Sequence, residues 1–193
     1  MVNNLFRRLN STPNMMALFD DVSFVQAMLD FERALAFAQA ENGIIEPYTA
    51  EIIGSCCDIL RFDLSNLVEQ SAQHGTIVVP LVRQLTEIVA EKDRFASNWV
   101  HFGATSQDTI DTAMIMQLKK AVNILRLDVG RLGEALRSLA NCNQDTLMIG
   151  RTLLQPAVPI TFGQKVVGWH SAIMRNWERI ENCLLYTSDA ADE

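Results

Sequence analysis

The segment Val100-His101-Phe102-Gly103-Ala104-Thr105-Ser106-Gln107-Asp108 sets a histidine, two hydroxyls and an amide directly ahead of a long run with helical periodicity. A helix start carries N–H groups without intrahelical partners and the positive end of the helix dipole, so it can seat a carboxylate. His101 adds a group that titrates near neutral pH. Some 40 residues further on lies Gly150-Arg151-Thr152-Leu153-Leu154-Gln155-Pro156. There Arg151 offers a guanidinium fork for a carboxylate, and Thr152 and Gln155 add hydrogen-bond donors. The two clusters together predict an enzyme that grips a small polycarboxylate. Plainer readings stand beside this one. Thr105, Ser106 and Asp108 also make an ordinary helix cap, and Arg151 also reads as a surface arginine. His74, in the turn-like Gln73-His74-Gly75-Thr76, is either a second polar contact or a surface residue.

Composition narrows the partners. The net charge of −7 argues against nucleic acid. It also means that an anionic substrate must be held by local groups and not by the overall field. No apolar run approaches the ~20 residues that a membrane span needs. Arg7 and Arg8 are followed by no apolar stretch, and Asp20 and Asp21 come soon after, so no secretory signal is read. Cys56, Cys57, Cys142 and Cys183 show neither a CxxC pair nor a His-spaced metal pattern, which fits reduced thiols in a cytoplasmic protein. No metal site and no phosphate loop is expected.

The elements that must carry these residues read as helices nearly throughout, so the predicted class is all-α. Ser11-Thr12-Pro13 reads as a cap and a helix start, Asp21 as the next cap, and Asn42-Gly43 as a left-handed stop. The helix between is expected to bury Phe24, Met28, Phe31, Leu35 and Ala38. Pro47, Asp63 and Pro80 open further helices, with Ile77-Val78-Val79 as an extended lead-in. From about 106 to 140 the chain has no proline, which allows about 50 Å of helix at 1.5 Å per residue. Thr105 and Asp108 fit a capping box at its start, and Gly130 and Gly133 offer a close crossing. A second long helix is expected from near Pro159, with Arg151 in the linker. Two such helices cannot bury their faces alone, so they read as the start of a larger bundle. The expected division is an N-terminal helical domain over 1–104, the first part of a long-helix bundle over 105–182, and a non-native tail over 183–193 that breaks the helical pattern.

The pattern His-Phe-Gly-Ala-Thr-Ser-Gln-Asp-Thr-Ile-Asp-Thr at 101–112, with Gly-Arg-Thr-x-x-Gln-x-Ala-x-Pro-x-Thr-Phe-Gly at 150–163, resembles the fumarase/aspartase superfamily. Leu29-Asp30-Phe31-Glu32-Arg33-Ala34-Leu35-Ala36, Val79-Pro80-Leu81-Val82 and Gly168-Trp169 bring it nearest to the 3-carboxy-cis,cis-muconate cycloisomerases within that superfamily. The resemblance covers about residues 5–182. It implies a small N-terminal helical domain, a long-helix bundle forming a homotetramer core, and active sites shared among three subunits. It also implies a cofactor-free addition of a carboxylate across a double bond. His101 is carried over as the catalytic candidate. Thr105, Ser106, Gln107, Arg151, Thr152, Gln155 and His74 are carried over as substrate contacts. Adenylosuccinate lyases and fumarases carry a catalytic histidine directly after Arg-Thr; here that residue is Leu153, which points away from them, whereas His74 matches a histidine of the adenylosuccinate lyases. A non-catalytic helical oligomerisation protein is the reading of a different class. The superfamily's third signature, a serine-bearing loop, is not in this chain, so 1–193 alone is expected to be inactive.

Overall fold

A computed structural model of the chain describes residues 5–189, with side-chain environments from 8 to 183. Eight α-helices and one two-stranded ribbon occur among the described residues. They divide into two compact units, Met1–Ala121 and Val122–Glu193, with the boundary inside the longest helix.

The first unit holds α1 (Leu5–Asn10), α2 (Pro13–Leu18), α3 (Asp21–Glu41), α4 (Pro47–Gly54), α5 (Leu64–His74), α6 (Val78–Lys92) and the start of α7 (Ser106–Cys142). Local chemistry sets most of these limits. The Thr12 hydroxyl accepts from the Met15 N–H at 3.3 Å and the Asp63 carboxylate from the Asn66 N–H at 3.0 Å. Each satisfies a donor that the helix start leaves open. The cap of α3 is Asp20, which accepts from the Ser23 N–H at 2.8 Å; the expected cap, Asp21, is the first helical residue. Gly43, at φ +69°, ends α3 in the left-handed conformation that glycine adopts without strain. The core gathers Val25, Met28, Leu29, Ile53, Leu67, Leu81, Leu85 and Val89. Each large aliphatic side chain buried there contributes roughly 1.5–3 kcal/mol.

Two expectations for this unit are corrected. The buried face of α3 is Val25, Met28, Leu29, Glu32, Ala36 and Gln39, and of the predicted stripe only Met28 is fully buried. The face is rotated because it accepts two polar side chains that hydrophobic periodicity assigns to solvent. Ile77-Val78-Val79 is no extended lead-in: α6 starts at Val78, with Pro80 as its third residue. Proline is tolerated there because a first-turn N–H has no intrahelical acceptor to lose.

The second unit holds the remainder of α7, then β1 (Leu147–Thr152), β2 (Gln155–Thr161) and α8 (Phe162–Asp189). Leu136, Ala140 and Val166 are buried together, with Phe162 and Ile173 against them. A Cβ at Gly133 would sit 3.5 Å from the Met174 sulfur, so α7 and α8 do approach closely there; Gly130 has nothing within 4 Å. The region read as a linker is an antiparallel ribbon, and α8 begins at Phe162 instead of near Pro159. Pro156 and Pro159 both lie in β2. A two-strand ribbon leaves each strand one unpaired edge, where a missing N–H costs nothing. The all-α class stands, with the ribbon as an insertion between two long helices. The helical backbone of α8 also continues through Asp189, so the expected break at Cys183 does not occur. No helix among the described residues is long and apolar enough to cross a membrane.

Candidate active site

The first cluster forms a tight corner between α6 and α7. Asp93 ends α6 and accepts from the N–H groups of Phe95 at 2.7 Å and Ala96 at 3.1 Å, which turns the chain into a short 3₁₀ segment at Ala96–Trp99. His101 follows at φ +58° and Gly103 at φ +75°. Left-handed backbone is natural for glycine but costs roughly 1–2 kcal/mol for a residue with a Cβ. His101 is held in it from behind by α3. Its Nδ1 donates to Glu32 Oε1 at 2.7 Å, and Gln39, seven residues along α3, donates from Nε2 to the Phe102 carbonyl at 2.6 Å. The Trp99 and Phe102 rings meet edge to face at 4.9 Å.

Burial separates the two ends of the His101–Glu32 pair. The Glu32 side chain is 1% exposed and the His101 side chain 16%. Thr109, also buried, donates from Oγ1 toward the same carboxylate oxygen at 3.4 Å. The hydrogen bond to Glu32 raises the His101 pKa above its ordinary 6.5, desolvation works against it, and the charges of Glu32 and Asp108 add to the rise. The charged imidazolium form is therefore favoured more strongly than in a free histidine. No hydrogen bond reaches Nε2 among the described residues, so that nitrogen is left for a ligand.

The predicted capping box is present in both directions. Asp108 accepts from the Thr105 N–H and hydroxyl, each at 2.8 Å, and its own N–H points back to the Thr105 hydroxyl at 3.4 Å. The Thr105 backbone and side-chain hydrogen bonds, in that order, hold the Asp108 carboxyl below its usual range. The Thr105 hydroxyl is thus spent on the cap. Gln107 donates from its amide to Asp111 at 2.6 Å. Ser106 and the first-turn N–H groups of α7 remain as donors at this corner.

The second cluster lies on the ribbon. Arg151 and Thr152 end β1, Gln155 begins β2, and Thr152 pairs with Gln155. All three are exposed, and Arg151 makes no ion pair among the described residues. The register slips between Ile149 and Arg151. Gly150 sits at the slip, where a Cβ would lie 2.7 Å from the Val158 carbonyl oxygen, so glycine lets the strands close. The loop is Leu153-Leu154, at φ +45° and φ +64° and 93% and 90% exposed. Two positive φ values make a type I′-like turn, which ordinarily takes Asn-Gly. Replacing the pair as Leu153→Asn with Leu154→Gly is expected to stabilise the isolated chain by about 1 kcal/mol, since strain is relieved and no contact is lost. Urea unfolding reads this directly; a lower midpoint would mean that the leucines hold the ribbon in place.

The structure brings His101, Thr105, Ser106 and Gln107 to one corner in the first unit and Arg151, Thr152 and Gln155 to one ribbon in the second. His74 is the last residue of α5, exposed, with no hydrogen bond or ion pair among the described residues. Sequence reasoning missed Glu32, Gln39 and Thr109. The available signal was Glu32 lying four residues from both Met28 and Ala36, between two apolar positions of one helix face. Burial pushes the Cys57 thiol up to about 12, so it is no thiolate nucleophile at neutral pH.

The chain thus carries a carboxylate–histidine pair at the N-terminus of one long helix and an arginine-bearing ribbon leading into a second. The family model described as "Lyase" matches residues 7–189, and the chain belongs to that family. Among its relatives, the 3-carboxy-cis,cis-muconate cycloisomerase of Pseudomonas putida is 38% identical over 181 residues, 94% of this chain and 43% of that protein. An adenylosuccinate lyase of Methanothermobacter thermautotrophicus is 37% identical over 174 residues, 89% of this chain and 38% of that protein. The crystal structure of the 3-carboxy-cis,cis-muconate lactonizing enzyme from Pseudomonas putida superposes with a TM-score of 0.88 at 37% identity, covering 93% of this chain and 41% of that one. The chain spans about two-fifths of the length of these relatives.

Proposed function

We propose that this chain is part of a 3-carboxy-cis,cis-muconate cycloisomerase of aromatic-acid catabolism, a cytoplasmic homotetramer when complete. The observation that carries this reading is the match to the P. putida cycloisomerase along 94% of the chain. It agrees with the chemistry of the His101 corner. In the reaction, a carboxylate oxygen of the substrate adds to a carbon–carbon double bond. The C–O bond forms, and the displaced electron pair moves to the carbon alpha to another carboxylate and spreads into that carboxylate. A proton then reaches the alpha carbon, and a lactone results. Charge building on the carboxylate is stabilised by donors already in place: His101 Nε2–H, Ser106 and the first N–H groups of α7. His101 in its imidazolium form is the candidate acid. Arg151, Thr152 and Gln155 grip a second carboxylate bidentately and through neutral donors. In this reading the three come from a neighbouring subunit, as the superfamily resemblance implies. No cofactor or metal enters these steps.

An adenylosuccinate lyase-like elimination is the second reading, favoured by the 37% identity to the M. thermautotrophicus protein and by His74. Leu153 stands where such lyases are expected to carry a histidine, and its place on the tip of the ribbon offers no proton carrier. The test is turnover by the protein encoded by the complete gene. It is expected to consume 3-carboxy-cis,cis-muconate and leave adenylosuccinate untouched, while residues 1–193 alone consume neither. Release of fumarate from adenylosuccinate would overturn the assignment.

A further inference from the structure

We infer that Glu32 is a positioning residue for His101: from inside α3 it fixes which ring nitrogen meets the substrate and presents that nitrogen as a donor. The inference rests on the polycarboxylate reading of the corner for its functional meaning and on geometry for its substance. A carboxylate can only accept, so the 2.7 Å contact makes Nδ1 the donor to Glu32 and leaves Nε2 as the ligand-facing nitrogen. With the ring neutral, Nε2 is a bare acceptor, which repels a carboxylate. With the ring charged, Nε2–H donates to it. Glu32 therefore decides between a base and an anion grip, and its charge favours the grip.

Three further features support a built device. Glu32 is nearly inaccessible, so its charge is spent on the ring and not on water. Thr109, from the first turns of α7, shares its hydroxyl proton between the same oxygen and the Thr105 carbonyl, each at 3.4 Å, which ties the pair to the helix start where a carboxylate would sit. Gln39 fixes the next residue of the corner, and its Oε1 is buried without a partner. The pair is polarised toward the surface: the Glu32 side chain is 1% exposed and the His101 side chain 16%. A protein of net charge −7 thereby shows a local donor to an anion. The charged groups that act on His101 are Glu32 from α3 and Asp108 from α7.

The sign follows from the raised pKa. Anion binding through Nε2–H is complete below the ordinary histidine range and is lost as pH rises through the raised value. Glu32→Gln removes the support, so the loss begins at lower pH. The test has two readouts. Proton NMR of the three histidines in the 193-residue chain, with His101 assigned by its absence in His101→Asn, is expected to show the His101 titration moving to lower pH in Glu32→Gln. Glu32→Asp falls between wild type and Glu32→Gln. Calorimetry with the saturated tricarboxylate tricarballylate on the complete protein then compares variant with wild type at each pH, so that the ligand's own ionisation cancels. About a tenfold weaker binding is expected at pH 7.5, as for one lost charge-assisted hydrogen bond, with the ratio near one at pH 5.5. An unmoved His101 titration, or a loss equal at both pH values, would overturn the inference and leave Glu32 as packing. A shifted titration in a protein that binds no tricarballylate would support the pairing and strike the polycarboxylate reading instead.

Discussion

In the complete protein, His101→Asn is expected to lower kcat/KM for 3-carboxy-cis,cis-muconate by about 100-fold, the low end of what a positioned acid contributes. Asparagine is the substitution that isolates the chemistry. It adopts left-handed backbone more readily than other non-glycine residues, so the φ of +58° at this corner is kept. Its amide can still donate to Glu32 and so avoid a stranded buried carboxylate. What it lacks is a proton that can leave at neutral pH. Steady-state kinetics with a melting curve separates the outcomes. A large kinetic loss with little thermal change places His101 in the reaction; unchanged turnover removes it as the acid.

Gly163→Ala is expected to cost about 3 kcal/mol of stability, the upper range for forcing atoms into a closed space. Gly163 is the second residue of α8, and its N–H donates to the Asn143 carbonyl at 2.9 Å while the Phe162 N–H donates to the Thr146 carbonyl at 2.8 Å. These bonds join the start of α8 to the turn that follows α7. A Cβ on Gly163 would lie 2.7 Å from the Ala140 carbonyl oxygen and 2.8 Å from that of Asn143. Both obstacles are backbone, so no side chain can swing aside. The ribbon bearing Arg151 leaves and returns at this junction, and its footing loosens with it. Thermal unfolding of the chain by circular dichroism is expected to show a midpoint lower by roughly 6–12 °C for that loss. A shift of a degree or less would mean that the α7–α8 junction yields easily.

What the sequence made legible was local. Thr12, Asp63 and Gly43 mark helix limits through bonds that span three or four residues. Thr105 and Asp108 announce the start of α7 by the same kind of short-range chemistry. The superfamily motifs mark the His101 segment and the Arg151 segment in the sequence itself. Non-local pairing stayed hidden. Glu32 meets His101 across 69 positions of chain, and hydrophobic periodicity, which seeks apolar residues, turned the buried face of α3 away from it. The ribbon was hidden for a second reason. Its loop is Leu-Leu where a two-residue hairpin normally signals itself with Asn-Gly, and its second strand carries two prolines. Both misreadings fall beside candidate site residues, where local preference gives way to a demand set elsewhere.

The most direct test of the proposed reaction is proton NMR of the complete protein turning over 3-carboxy-cis,cis-muconate in D₂O. A cycloisomerase gives a carboxymuconolactone with one solvent deuteron on the carbon alpha to a carboxylate. Persistence of the muconate, with fumarate released from adenylosuccinate in a parallel sample, would contradict the cycloisomerase and return the His101 corner to an elimination lyase.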